Sequence, residues 1–181
     1  MFLNSMYTYR QLRDSDLSRT PNGGNNKASR LLKYYRRCQT TGNKLLLIWY
    51  RLLFKSIKDK LHIELYGKCN IGPGLYLGHP YNITINPKTV IGQNCNIHKG
   101  VTIGQENRGK RIGSPIIGNK VWIGVNATIV GNINIGDDVL IAPNSYVNCD
   151  IPSHSIVFGN PCIIKPCAEA TKGYINNEAK I

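Results

Sequence analysis

Aliphatic residues recur at every sixth position over most of the chain. Leu65, Ile71, Leu77 and Ile83 form a first run; after a two-residue slip, Ile91, Ile97 and Ile103 form a second; after a longer excursion, Ile117, Ile123, Ile129, Ile135, Ile141 and Val147 form a third. Four residues after most of them stands a small or apolar residue, as at Cys69, Leu75, Cys95, Val101, Val121, Ala127 and Val139, and glycine often follows the aliphatic position directly. An amphipathic α-helix would repeat at 3.6 and a half-buried strand at 2, and neither period holds thirteen positions in sixes. A short fixed period predicts a parallel β-helix, in which each hexapeptide is one brief strand and corner, three make a triangular coil, and the aliphatic residues stack as an internal column.

Two segments depart from the period. Residues 105–116, QENRGKRIGSPI, are glycine-rich and basic and too long for a corner, which predicts a loop leaving the prism, the kind of segment that often carries function. Upstream, ASRLLKYYRRC and KLLLIWYRLLFKSIKDKL carry helical periodicity on either side of QTTGN. In the second, Leu46, Trp49, Leu53, Ile57 and Leu61 line one face and Lys44, Arg51, Lys55 and Lys58 another. Residues 20–27 read as a loop. The expected organisation is an all-β chain with a short α-helical start: a basic helical region over 1–61, the β-helix over 62–165, and a tail over 166–181.

A length of 181 residues suits one compact domain. The net charge of +13 is concentrated in residues 1–60, where thirteen Lys and Arg face only Asp14, Asp16 and Asp59, a balance of +10. The apolar face of these helices would cap the open end of the β-helix and leave the charges solvated. The other reading is peripheral contact with an anionic membrane, where each basic residue contributes about 1 kcal/mol. No nucleic-acid motif accompanies the charge, so DNA and RNA are not expected partners. The six cysteines form no CxxC pair and read as reduced thiols, Cys162 and Cys167 included. The N-terminus lacks a secretory pattern, and the apolar run from Leu45 to Phe54 is broken by Arg51 and well short of about 20 residues. The expected location is cytoplasmic, at most at the inner face of the membrane, with no spanning helix.

The stretches KCNIGPGLYLGH, CNIHKGVTIG, IIGNKVWIGVNATIVGNINIGDDVLIAPNSYV and VFGNPC resemble the hexapeptide-repeat acyltransferases, and among them most the serine acetyltransferases, over roughly residues 62–165. The resemblance implies a left-handed β-helix, a homotrimer with active sites between neighbouring subunits, and acetyl-CoA as donor. It also implies that His79 is the general base and that Glu64, fifteen residues earlier, orients it. Fifteen residues carry the chain almost once around a coil, so the two can stand on adjacent coils.

Moving an acetyl group from a thioester to an alcohol requires a base near pH 7, and imidazole fits. A carboxylate on the second ring nitrogen fixes the tautomer and stabilises the imidazolium. A corner N–H, at Gly104 or Gly124, would hold the oxyanion. The resemblance places CoA along the later coils near Gly104, Gly124, Val125 and Pro143, with Lys165 to meet a phosphate. The bland alternative for His79 is an exposed turn residue before Pro80. His98 lies nineteen residues on and is either a second acceptor-binding group or a solvated corner histidine. A zinc site is not expected, since the repeats offer only His79 and His98.

The acceptor is where the resemblance breaks. Serine acetyltransferases carry an acidic residue before the catalytic histidine, where Gly78 stands here, and an Arg-His pair where Gly113 and Ser114 stand. A selective site for a zwitterion needs both charges, although Arg111, with Arg108 and Lys110, lies on the loop that could replace the arginine. Tyr76, Tyr81 and Asn82 beside the base suit a sugar ring. The expected function is therefore acetyl transfer to a sugar hydroxyl of a cell-surface polysaccharide or its precursor, with serine acetylation as the alternative. A non-catalytic scaffold or membrane adaptor is the reading from a different class.

Overall fold

The computed structural model describes residues 6–20 and 27–180. Three parallel faces form a β-helix. One face holds β1 (Asn70–Ile71), β4 (Val90–Ile91), β7 (Ile116–Ile117) and β10 (Asn134–Ile135). The second holds β2 (Tyr76–Gly78), β5 (Asn96–His98), β8 (Val121–Ile123), β11 (Val139–Ile141) and β13 (Ser155–Phe158), closed by the antiparallel β14 (Ile163–Pro166). The third holds β3 (Thr84–Ile85), β6 (Thr102–Gly104), β9 (Thr128–Val130) and β12 (Tyr146–Val147). The strands are short because each hexapeptide gives one inward aliphatic residue and then turns. Many corners adopt left-handed backbone, at Asn82, Asn94, Asn126, Asp138 and Asn144 among others, where Asn and Asp are the best tolerated non-glycine residues.

The register corrects one detail of the periodicity. Ile85, rather than Ile83, stacks under Ile103 and Ile129, while Leu77 stacks under Ile97. The two additional residues therefore lie between Leu77 and Ile85, at the corner that carries His79, and not between Ile83 and Ile91. From Gly78 to Thr84 the chain takes six steps, and one coil later it covers the same turn from His98 to Thr102 in four. Ile83 is nonetheless buried inside the widened corner. Both residues are aliphatic, so periodicity alone could not choose between them.

Three helices precede the prism: α1 (Tyr9–Ser18), α2 (Lys27–Thr40) and α3 (Lys44–Lys60). The first is polar and was not legible as a helix; its Thr8–Gln11 capping box is its local start signal. Of the expected loop at 20–27, residues 21–26 lie outside the described residues, and Lys27 already begins α2. Leu31, Leu32 and Tyr35 of α2, Phe54 of α3, and Leu61 and Ile63 join Leu65, Cys69 and Ile71 in one continuous core. The helical region thus caps the first coil.

That coil has no neighbour beneath it, so its outward carbonyls need donors. Arg36, fully buried, donates to Ile71 O at 2.8 Å and Gly72 O at 2.7 Å, and is held by Asp16 at 2.8 Å. Tyr35 Oη donates to Cys69 O at 2.9 Å. The expected apolar face of α3 is covered only towards its end, because the coil reaches no further. Leu53 and Ile57 are half-buried, whereas Leu46 and Trp49 are exposed together with Leu45, Ile48 and Leu52. Among the described residues no helix is long and apolar enough to cross a membrane.

The C-terminal segment folds back along the prism. The Asp138 carboxylate accepts hydrogen bonds from the Ala170 and Thr171 N–H groups and lies 2.9 Å from His154 Nδ1. Further on, Tyr174 packs against Trp122, Glu178 pairs with Lys120 at 2.9 Å, and Ala179 N donates to Asn94 Oδ1. The six cysteines are free thiols, and it is Cys149, rather than Cys167, that meets Cys162, at 3.5 Å.

Candidate active site

The widened corner, residues 79–82, pushes His79 out of the coil. His79 has φ 52°, is exposed, and its carbonyl accepts from Tyr81 N at 2.7 Å. Beside it opens a cavity of about 340 Å³ lined by His79, Tyr76, Tyr81 and Leu77, and from the helical region by Thr20 and Lys27. Lys27 Nζ donates to Tyr81 Oη at 2.7 Å and lies 5.3 Å from the ring centre. The structure therefore brings three of the expected residues together. It adds residues of the helical region, Lys27 among them, that sequence spacing had no means of finding, since Lys27 lies 54 positions before Tyr81.

Glu64 sits one coil earlier, bridged to Thr84, with its N–H on Ile83 O and its carbonyl accepting from Ile85 N, both at 2.8 Å. Asn82, exposed and left-handed at φ 55°, ties the corner to that coil by donating its N–H to Leu61 O. Glu64 and His79 thus occupy adjacent coils, as the spacing suggests. Among the described residues no hydrogen bond or ion pair joins them.

The same edge continues upward. Lys99 N donates to Gly78 O, Asn126 N to Lys99 O, and Asn144 N to Val125 O, which stacks His79, Lys99, Val125 and Pro143 along one line. Gly124 belongs to this line for a steric reason: a Cβ there would stand 2.6 Å from Pro143 N, so only glycine allows the coils to meet. Gly104 does not join it within one subunit, because it ends β6 on the opposite side of the third face, against Val130. Arg111 lies in a 3-10 turn, Gly109–Arg111, whose end is pinned by Asn132 N on Arg111 O at 2.9 Å. Its side chain is exposed and lines neither this cavity nor the one described next. Lys165 is exposed on β14, its ammonium 5.4 Å from the Phe158 ring centre.

His98 is a packed residue rather than a solvated corner. Its ring lies over Gly78, where a Cβ would come within 2.4 Å of His98 Nδ1, and it packs, tilted, against Trp122 with ring centres 4.7 Å apart. Burial, and secondarily the neighbouring His79, hold its pKa below the usual histidine value. His98 Nε2 is shielded from solvent and has no partner. His98 and Tyr76 line a second cavity, of about 280 Å³. Among the described residues no group of three or more His, Cys, Asp or Glu side chains is placed to hold a metal ion.

Residues 114–149 match the bacterial transferase hexapeptide (six repeats) family. Serine acetyltransferase 2 of Arabidopsis thaliana is 38% identical over 122 residues, 66% of this chain and 36% of that protein. The serine acetyltransferase of Helicobacter pylori is 37% identical over 98 residues, 54% of this chain and 57% of that one. The chain therefore spans between about a third and somewhat over half the length of these curated relatives. Among solved structures, soybean serine acetyltransferase apoenzyme superposes with a TM-score of 0.73 at 26% identity, over 87% of this chain and 69% of the other. The serine acetyltransferase of Neisseria gonorrhoeae in complex with serine gives 0.67 at 27%, over 87% and 67%.

Proposed function

Starting from a hexapeptide-repeat β-helix similar to serine acetyltransferases, we propose that the chain is an acetyl-CoA-dependent O-acetyltransferase with His79 as general base. The observation that carries this reading is the widened corner, which presents an exposed imidazole at the mouth of a cavity lined by Tyr76 and Tyr81. His79 takes the proton of the acceptor hydroxyl as its oxygen attacks the thioester carbonyl. The tetrahedral intermediate then collapses and expels the CoA thiolate, which takes that proton back from the imidazolium. The products are an O-acetyl ester and free CoA. Glu64, on the adjacent coil, orients the ring once donor and acceptor close the site; apo contacts of this kind are often unformed. The edge from Lys99 through Gly124 and Val125 to Pro143 is the track offered to CoA, with Lys165 beyond it. The working unit in this reading is a homotrimer, and sedimentation equilibrium should return three chains.

Serine is the acceptor favoured by the relatives, which are named serine acetyltransferases. A sugar hydroxyl is a second reading, and one observation favours it: His98 occupies the space over Gly78 that an acidic side chain at position 78 would need, so no carboxylate from that position can meet an ammonium. The test is CoA release with serine and with sugar acceptors. His79→Ala should lower turnover by about 10²–10⁴-fold while leaving CoA binding intact. A fully active variant would overturn the mechanism.

A further inference from the structure

The second cavity has its own chemistry. Strand alternation turns Tyr76, Asn96, His98 and Trp122 outward on β2, β5 and β8, and the C-terminal segment closes over them with Tyr174 at 5.0 Å from Trp122. Arg19, one residue beyond α1, reaches into this space and is only 4% exposed. Its terminal nitrogens donate to the Asn176 carbonyl and to Asn96 Oδ1, both neutral acceptors. Its Nε, like His98 Nε2, is shielded and unpartnered. Among the described residues no carboxylate forms an ion pair with it, and Glu178, whose field reaches it, is engaged by Lys120 at 2.9 Å.

A buried guanidinium without a counter-charge is costly unless something anionic joins it. Tyr76, Trp122 and Tyr174 line the same space and offer that partner aromatic surface. Tyr76 lines both this cavity and the one beside His79.

We propose that this cavity binds a carboxylate of the acyl acceptor, held by Arg19 and, in its Nε2–H tautomer, by His98, while the acceptor's hydroxyl reaches His79. The inference rests on His79 being the base and gives the acceptor a class: it is acidic. The carboxylate can belong to an amino acid or to a uronic acid, and the chemistry at Arg19 is the same for both.

Binding tests this apart from catalysis. In the full chain carrying Trp49→Phe, an exposed position, the fluorescence of Trp122 reports the cavity. Titration compares L-serine with L-serinamide, and glucuronate with glucose. The acidic member of at least one pair should bind about ten- to a hundredfold more tightly, the range of a hydrogen bond to a charged group. The pair that discriminates identifies the source. Arg19→Gln should abolish the preference; if that variant does not fold, the wild-type comparison decides alone. Equal binding within both pairs, or no response to either, overturns the carboxylate site and leaves the role of His79 standing. A carboxylate preference that persists in an active His79→Ala protein would instead overturn the base and keep the site.

Discussion

At the scale of single residues, position 78 decides the most. Glycine there leaves room for the His98 ring, and that ring in turn lies between Tyr76 and Trp122. Gly78→Ala must displace His98, since a Cβ would stand 2.4 Å from its Nδ1. Overpacking of this kind costs about 1–3 kcal/mol, which urea unfolding would detect. Replacing His98 by alanine in the same chain should return most of that loss, and a Gly78→Ala protein as stable as the parent would refute the packing. The absence of an acidic residue at 78 could be read directly from the sequence. Its cause, a histidine twenty positions later filling the space, could not, because only the register of β2 on β5 makes them neighbours.

At the scale of elements, the C-terminal segment shows how one carboxylate can fasten a stretch with little regular structure. Asp138 receives Ala170 N, Thr171 N, the Thr171 hydroxyl and His154. Partial burial alone would raise its pKa, but these hydrogen bonds, led by that of the Thr171 hydroxyl, hold it below the ordinary 3.8. A depressed carboxylate contributes its stabilisation in full above the unfolded value near 3.8 and loses it as pH falls through the lower folded value. Hydrogen exchange across residues 170–179 should therefore accelerate below that pH. Asp138→Ala should bring the same acceleration at neutral pH while the β-helix keeps its protection. Uniform protection in the variant would mean that Tyr174 and the Lys120–Glu178 pair hold the segment unaided. The sequence marked residues 166–181 only as a tail, since side chain to backbone anchoring leaves no periodic trace.

At the scale of the whole molecule, the junction between helices and prism depends on the buried pair of Asp16 and Arg36. Arg36 satisfies carbonyls at the open end of the first coil, and Asp16 accepts Leu75 N as well as the guanidinium. Asp16→Ala leaves a fully buried cation, a change that typically costs about 3–5 kcal/mol. The thermal transition should fall sharply, and the helical region should open before the prism does. A replacement without measurable effect would show that the apolar contacts of Leu31, Leu32, Tyr35 and Phe54 hold the cap alone. Because Arg19, Thr20 and Lys27 come from this region, its loosening should also weaken acceptor binding more than CoA binding.

The hexapeptide period by itself determined the β-helix and the coil-to-coil nearness of Glu64 and His79, because a repeat of fixed length converts sequence separation directly into height along the prism. Capping by the amphipathic helices was one of two readings of their apolar stripe, the other being membrane contact. Only the tertiary structure decided where the two additional residues fall, since Ile83 and Ile85 are equally apolar. The same holds for the placing of Gly104 and Arg111 away from the base within one subunit, and for Arg19 and Lys27 meeting residues of the coils. These last contacts join segments whose separation follows no period: a helix arriving from outside the repeat is placed by burial and by unsatisfied carbonyls, and neither can be counted along a chain.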